Sequence, residues 1–450
     1  MAQQQIAASI FNVTLRARMA ALIPLAILTA VLTIVPTAQA QTFQVVHAFT
    51  GDAGGYYPSF GVVIDRAGDL YGSAAYGGNY TSSCNYVGTQ TGCGVVYKLS
   101  RHGSGWVFNV LSSFDGANGY NPEQLITLAP DGTLYGTTLW GGSGRCTGFG
   151  PGCGTIFRLH PPATFCRSVS CPWTISNPHQ FLGQPSDGAF PAGGSLTMDS
   201  AGNLYGTTGN GGLYGVGIVY ELSPTENGWT MSVLNNFSGA NGEFPDGGVV
   251  FDNAGNLYGV TMQGGILNCD EAPAGCGAVY QLTHTGSGWI EHVLHSFNAE
   301  TDGAFPSGNP VIDSSGNVYG ETESYGPNSG GTVWELSPGN GGWTFSVLYS
   351  FPDGSGTGPY GGLLLDSGGN LYGTNINYGA HQYGSVFKLS PSANGWIYTD
   401  LHDFTGGSDG GLPYSSVSMD SAGNLFGITV AGGSLQSCPG GCGVVWEITP

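Results

Sequence analysis

An octapeptide written seven times constrains this chain more than any other feature. Its clearest copy is Asp366-Ser-Gly-Gly-Asn-Leu-Tyr-Gly373, and the others lie at 65–72, 129–136, 199–206, 252–259, 313–320 and 420–427. The copy Ala129-Pro-Asp-Gly-Thr-Leu-Tyr-Gly136 is the most divergent. From one closing glycine to the next the steps are 64, 70, 53, 61, 53 and 54 residues. A self-similar period of this size marks a repeat architecture, here a unit of about 53 residues stretched by insertions.

Each unit reads as four strands. The Asp-x-x-Gly-Asn segment is a hairpin turn between an inner strand such as 361–365 and a second strand beginning Leu371-Tyr-Gly, because Gly accepts positive φ and Asp and Asn side chains bond turn backbone. A third strand, Gly331-Thr-Val-Trp-Glu-Leu-Ser337, recurs from Gly94, Gly154, Gly217, Gly277, Gly384 and Gly443. The fourth runs as Trp343-Thr-Phe-Ser-Val-Leu-Tyr-Ser-Phe351, with the period-2 alternation of a strand packed on one face. Trp106, Trp173, Trp229, Trp289 and Trp396 open its equivalents and read as sheet-packing residues.

One such meander cannot cover both its faces, so seven are predicted to ring an axis as an all-β, seven-bladed propeller of four-stranded antiparallel blades. The two ends support closure. Residues 42–49 form a fourth strand with no first three before it, and 443–449 form a third strand with no fourth after it. The N-terminal strand is therefore predicted to complete the last blade.

The first 40 residues hold Arg16 and Arg18, an apolar run from Met19 to Val35, and Ala38-Gln39-Ala40. That is the pattern of a signal peptide cut after Ala40, leaving a propeller over 41–450 and a secreted, periplasmic or cell-surface location. No later apolar run is long enough to span a bilayer. Net charge is −20, and beyond residue 40 there are 7 basic against 29 acidic groups, so nucleic acid and anionic membranes are poor partners.

Ten cysteines fall into close pairs: Cys84 with Cys93, Cys146 with Cys153, Cys166 with Cys171, Cys269 with Cys276 and Cys438 with Cys442. In an exported chain these read as disulfides between near neighbours. Zinc is the competing reading, disfavoured because matched paired motifs are lacking.

The repeat resembles the GloVer tandem repeat of bacterial exported proteins in three segments. They are Gly-Thr-Val-Phe/Trp-x-Leu, Val-Leu-x-Ser-Phe and Asp-x-x-Gly-Asn-Leu-Tyr-Gly, and together they cover essentially all of 41–450. The resemblance implies a bacterial exported protein and brings no catalytic residue with it. Such proteins often carry a variable C-terminal surface anchor, a segment the 450 residues do not include.

Length varies most in the loops between second and third strands, which share one face of the disc with the crossovers between blades, and four of the five cysteine pairs lie there. This stapled face is the predicted binding surface. Tyr76, Trp140, Tyr325 and Tyr378, each a few residues past the second strand, are its candidate ligand-binding residues, for a glycan or an extracellular protein. The repeated crossover pairs Tyr57-Pro58, Phe190-Pro191, Phe244-Pro245, Phe305-Pro306 and Leu412-Pro413 read as structural plugs near the axis. His47, His179, His295 and His402 recur in the outer strand and read as packed residues, too far apart to share a metal.

An active site needs its groups once, so acids and bases that break the repeat are the catalytic candidates. These are Glu321, Glu323 and His381, with Asp270 and Glu271 in the fourth loop, for a polysaccharide hydrolase or lyase with an axial site. No nucleophile elbow, P-loop or zinc-protease helix is present, no cofactor is predicted, and each turn offers too few acids for calcium. The leading reading is a noncatalytic, monomeric binding module.

Overall fold

The octapeptide folds as a turn organised by its aspartate. In the fourth copy the Asp252 carboxylate accepts the backbone N–H groups of Ala254 (2.8 Å) and Asn256 (2.9 Å) through one oxygen. The other oxygen accepts the Asn256 side chain (2.8 Å) and the Tyr258 hydroxyl (3.1 Å). The same bonds recur around Asp199, Asp313 and Asp366, which explains why Asp, Asn and Tyr travel together.

The glycine that closes the octapeptide has a separate reason. It pairs directly across to the aromatic residue of the third strand, as Gly72 to Tyr97, Gly259 to Tyr280 and Gly427 to Trp446. The far end of that side chain lies over the glycine, and a methyl group there would overlap it.

The computed structural model describes residues 41–81, 84–86, 89–146, 151–162, 172–191, 194–265, 269, 274–352, 358–435 and 438–450. The proposed leader, Asp270 and Glu271 lie outside them. So do Cys166 and Cys171, and the disulfide expected between those two is therefore not among the bonds described below. Seven four-stranded antiparallel sheets form a β-propeller, with no α-helix among the described residues. Blades 1 to 6 occupy 56–113, 127–180, 197–236, 250–296, 304–352 and 364–403. Blade 7 joins 418–449 to the N-terminal strand Thr42–Ala48, which lies beside Val444–Thr449 as the terminal strands predicted. Gln44 Nε2 donates to Glu447 across this seam (2.5 Å), and Phe49 N–H donates to the Gly443 carbonyl (3.1 Å).

The core lies between blades. The phenylalanine that closes each outer strand is fully buried (Phe49, Phe114, Phe181, Phe237, Phe297, Phe351 and Phe404) and meets the third-strand aromatic of the next blade. Phe237 reaches Tyr280 at 5.1 Å between ring centroids and Phe404 reaches Trp446 at 6.1 Å. Nearer the turn face, the second-strand tyrosine of one blade meets the tryptophan of the next edge to face, as in Tyr71–Trp173 and Tyr319–Trp396. Burying one such ring contributes roughly 1.5–3 kcal/mol, so the repeated seam holds the ring shut. The outer histidines join the same packing. His295 stacks on Phe345 (3.9 Å) and His402 on Phe43 (3.7 Å), and burial lowers the pKa of His47 to about 4.

Towards the axis the inner strand is bulged. In blade 5 the pairing passes from Ser307↔Glu321 to Val311↔Tyr319, leaving Gly308 and Asn309 as two extra residues against the axis. Bulges re-aim side chains and bring backbones close. Here neighbouring bulges touch main chain to main chain: a Cβ on Gly194 would strike Gly248, and one on Gly361 would strike Ser415. Asn309 bridges this waist, accepting from Gly248 N–H and donating to Ser195 Oγ, both at 2.8 Å. An axial cavity of about 220 Å³ is lined by residues that include Phe60, Ser195, Asn309 and Ser418.

Candidate functional site

On the loop face, each crossover enters the next inner strand through a residue and a proline, and in six of the seven the residue before the proline has positive φ: 58° at Tyr57, 62° at Asn121, 55° at Phe190, 53° at Phe244, 61° at Phe305 and 55° at Leu412. The proline rings press on the glycines that open the third strands, as Pro122 on Gly94 and Pro245 on Gly217. The predicted plugs therefore seal the seams between blades. The residues that follow the prolines stand nearer the axis.

Those residues are Ser59, Glu123, Asp246, Ser307, Tyr360 and Tyr414, with Ala192 outside the described residues. Ser59 and Ser307 turn into the main chain, Ser307 Oγ donating to the Tyr360 carbonyl at 3.2 Å. Three of the other four meet, and Glu123 lies near enough for its charge to act on Tyr360. Tyr360 of blade 6 donates to the Asp246 carboxylate of the blade 4 crossover at 2.8 Å, and the Tyr360 and Tyr414 rings lie 5.3 Å apart.

Burial raises Glu123 to about 7, with the nearby Asp246 charge adding to the shift. Asp246 also rises to about 7 through burial and the Glu323 charge, against the Tyr360 bond. Burial raises Glu323 as well, and burial raises Tyr360 and Tyr414, with the Asp246 and Glu323 charges adding to the first and the Glu323 charge to the second. Carboxyls poised near neutrality can donate or accept a proton, the property general acid–base chemistry requires.

Of the sequence candidates, Glu323 enters this cluster. Glu321 does not. It occupies the second-strand position where Ser73, Thr207 and Thr374 bond the backbone of the next blade, and it likewise accepts Gly362 N–H (2.6 Å) from blade 6. Burial raises it to about 8. His381 lies exposed in the loop of blade 6.

The four aromatic candidates fold inward over the crossovers. Tyr76 packs on Tyr56 and Tyr57, Trp140 is buried against Tyr120, Tyr325 meets Phe305 and Tyr378 meets Phe351. They form the floor of the loop face. Rising above it are side chains that sequence reasoning missed: Tyr80 (47% exposed), Tyr214 (57%) and Tyr383 (45%), with Leu182, Leu213 and Leu435. The remaining large exposed hydrophobics among the described residues are Tyr57 in the first crossover and six aliphatic residues on outer strands, so none lies on the turn face.

Four of the five expected disulfides staple this face: Cys84–Cys93, Cys146–Cys153, Cys269–Cys276 and Cys438–Cys442. The fifth pair, Cys166 and Cys171, belongs to the segment between the third and fourth strands of blade 2 that lies outside the described residues. The second cysteine of each stapled pair ends its loop, and its carbonyl accepts the N–H of the next crossover, at 2.8–3.1 Å from Asn121, Phe190, Phe305 and Tyr57. The staples thus hold loop and blade seam together. Among the described residues no group of three or more His, Cys, Asp or Glu is arranged to hold a metal, and no helix is long and apolar enough to cross a membrane.

No curated protein matches the chain. Two stretches, 78–272 and 267–450, match the family described as the Gloeobacter/Verrucomicrobia repeat. With the β-propeller and its repeating seams in place, the chain belongs to the Gloeobacter/Verrucomicrobia repeat family.

Proposed function

We propose that this protein is an exported, noncatalytic binding module that works as a monomer and offers its loop face to a glycan or an extracellular protein. The observation that carries this is the segregation of exposed aromatic and leucine side chains to the face that the disulfides staple. A rigid floor with projecting apolar anchors suits recognition, because little side-chain and loop freedom is lost on binding. Export, with removal of residues 1–40, fits the same picture, since disulfides persist in oxidising compartments.

Binding of the mature chain to a glycan array and to purified cell-envelope proteins tests the reading. The Leu213→Ala/Tyr214→Ala variant should weaken capture about tenfold or more and leave thermal unfolding within a few degrees. Unchanged capture would remove the loop face from the reading.

A second reading, an axial polysaccharide hydrolase or lyase, rests on the Asp246–Tyr360 pair with the charges of Glu123 and Glu323 nearby. Reducing-sugar release that Asp246→Asn abolishes would favour it.

A further inference from the structure

The turn face carries clefts between blades, and one of them stands where the repeat is broken. In blades 1, 3, 4, 5 and 6 the second-strand tyrosine donates its hydroxyl to the aspartate of its own octapeptide, at 3.0–3.2 Å. In blade 2 that aspartate is replaced by Ala129, and Tyr135 has Arg158 beside its hydroxyl instead. A cleft of about 540 Å³ opens there between blades 2 and 3, lined by Ala129, Asp131, Tyr135, Arg158 and, from blade 3, Met198 and Trp229.

Three features of this cleft converge on one ligand chemistry. Trp229 is half-buried, meeting Tyr135 edge to face at 6.0 Å while also lining the opening, so it offers a flat apolar platform. Arg158 offers guanidinium donors, and its Nε is buried with no hydrogen-bond partner. Asp131 offers a carboxylate held in place by the Thr133 backbone N–H (2.9 Å) and hydroxyl (3.0 Å).

A cation and an anion flanking an aromatic plate match a ring with one apolar face and a rim of hydroxyls, each of which both donates and accepts. An anionic ligand would meet Asp131, and a cationic one would meet Arg158. The volume lies within the range of small-molecule sites.

We propose that the cleft between blades 2 and 3 binds a neutral pyranose saccharide, with the sugar ring on Trp229 and vicinal hydroxyls between Arg158 and Asp131. This site lies on the opposite face from the loop surface and does not depend on that surface being used. A second cleft of about 640 Å³ between blades 3 and 4 has Trp289 but lines it with three carboxylates, Asp199, Glu221 and Asp252, and no guanidinium.

Affinity electrophoresis of the mature chain against mannan, xylan, mixed-linkage β-glucan and dextran tests the proposal, with alginate and pectate as acidic controls. At least one neutral polymer should retard the protein. Arg158→Gln and Trp229→Ala should each weaken that retardation about tenfold, and Leu213→Ala/Tyr214→Ala should leave it unchanged. Arg158→Gln decides the matter if Trp229→Ala fails to fold.

Retardation by none of the neutral polymers, retardation only by the acidic ones, or retardation untouched by Arg158→Gln would overturn the assignment. Retardation lost only in the Leu213/Tyr214 variant would overturn it as well, while leaving the loop-face reading intact.

Discussion

Glu321 shows how one substitution in a repeat changes the chemistry of a seam without making a site. A threonine there donates to a backbone carbonyl of the next blade, as Thr374 does to Ser415 at 2.8 Å, whereas Glu321 accepts from Gly362 N–H. Burial moves its folded-state pKa from 4.5 to about 8, so folding favours the protonated acid. That contribution is fully present below pH about 4.5 and drains away as pH rises through about 8. Glu321→Gln keeps the acceptor and does not titrate. Wild type should therefore lose stability relative to this variant between pH 5 and pH 8, by an amount on the order of a few kcal/mol. Urea denaturation at the two pH values measures it, and a constant difference would show that Glu321 titrates normally in the fold.

At the scale of the element, the staple and the seam share residues. Cys276 ends the fourth loop and its carbonyl accepts Phe305 N–H (3.1 Å), so the Cys269–Cys276 pair ties the loop to the contact between blades 4 and 5. Replacing both cysteines by alanine should cost about 2–3 kcal/mol. It should also expose the fourth loop to proteolysis at low protease, with the far-ultraviolet circular dichroism of the ring unchanged. A loop that resists cleavage equally in both forms would show the bond to be redundant.

The strands of these elements were legible in the sequence because each is written six or seven times, so that Asp-x-x-Gly-Asn turns, alternating outer strands and paired cysteines reinforced one another. The axial cluster was not. Glu123, Asp246, Tyr360 and Tyr414 differ from blade to blade, and they stand in crossovers that no hydrophobic period marks. Their one shared mark is the preceding proline, and aligning the seven crossovers on it would have found them. Tyr80, Tyr214 and Tyr383 sit in loops of unrelated sequence, where exposure depends on backbone path. Glu321 and Glu323 looked alike as singular acids on one strand, and only their partners, Gly362 N–H for one and the Asp246 charge for the other, separated them.

For the molecule as a whole, every blade is clamped by two neighbours, and the ring has one joint made by distant sequence. The strand Thr42–Ala48 supplies Phe43 to the His402 stack of blade 6 and the residue after it, Phe49, packs on blade 1, while the strand pairs beside Val444–Thr449. Deleting 41–49 removes contacts from both sides of that joint at once. The shortened chain should lose cooperative thermal unfolding or aggregate, and adding the missing peptide in trans should restore part of the lost transition. A truncated chain that melts as the full one does would show that the remaining six blades carry the ring alone.

The Gln44–Glu447 pair spans 403 positions of chain. A polypeptide emerging from the ribosome N-terminus first therefore carries the strand Thr42–Ala48 without this partner until Glu447 has been made, with its amide edge bare meanwhile. Closure of the ring consequently waits on the 403 positions that separate the pair, and the blades made in between must persist without the last of their neighbours.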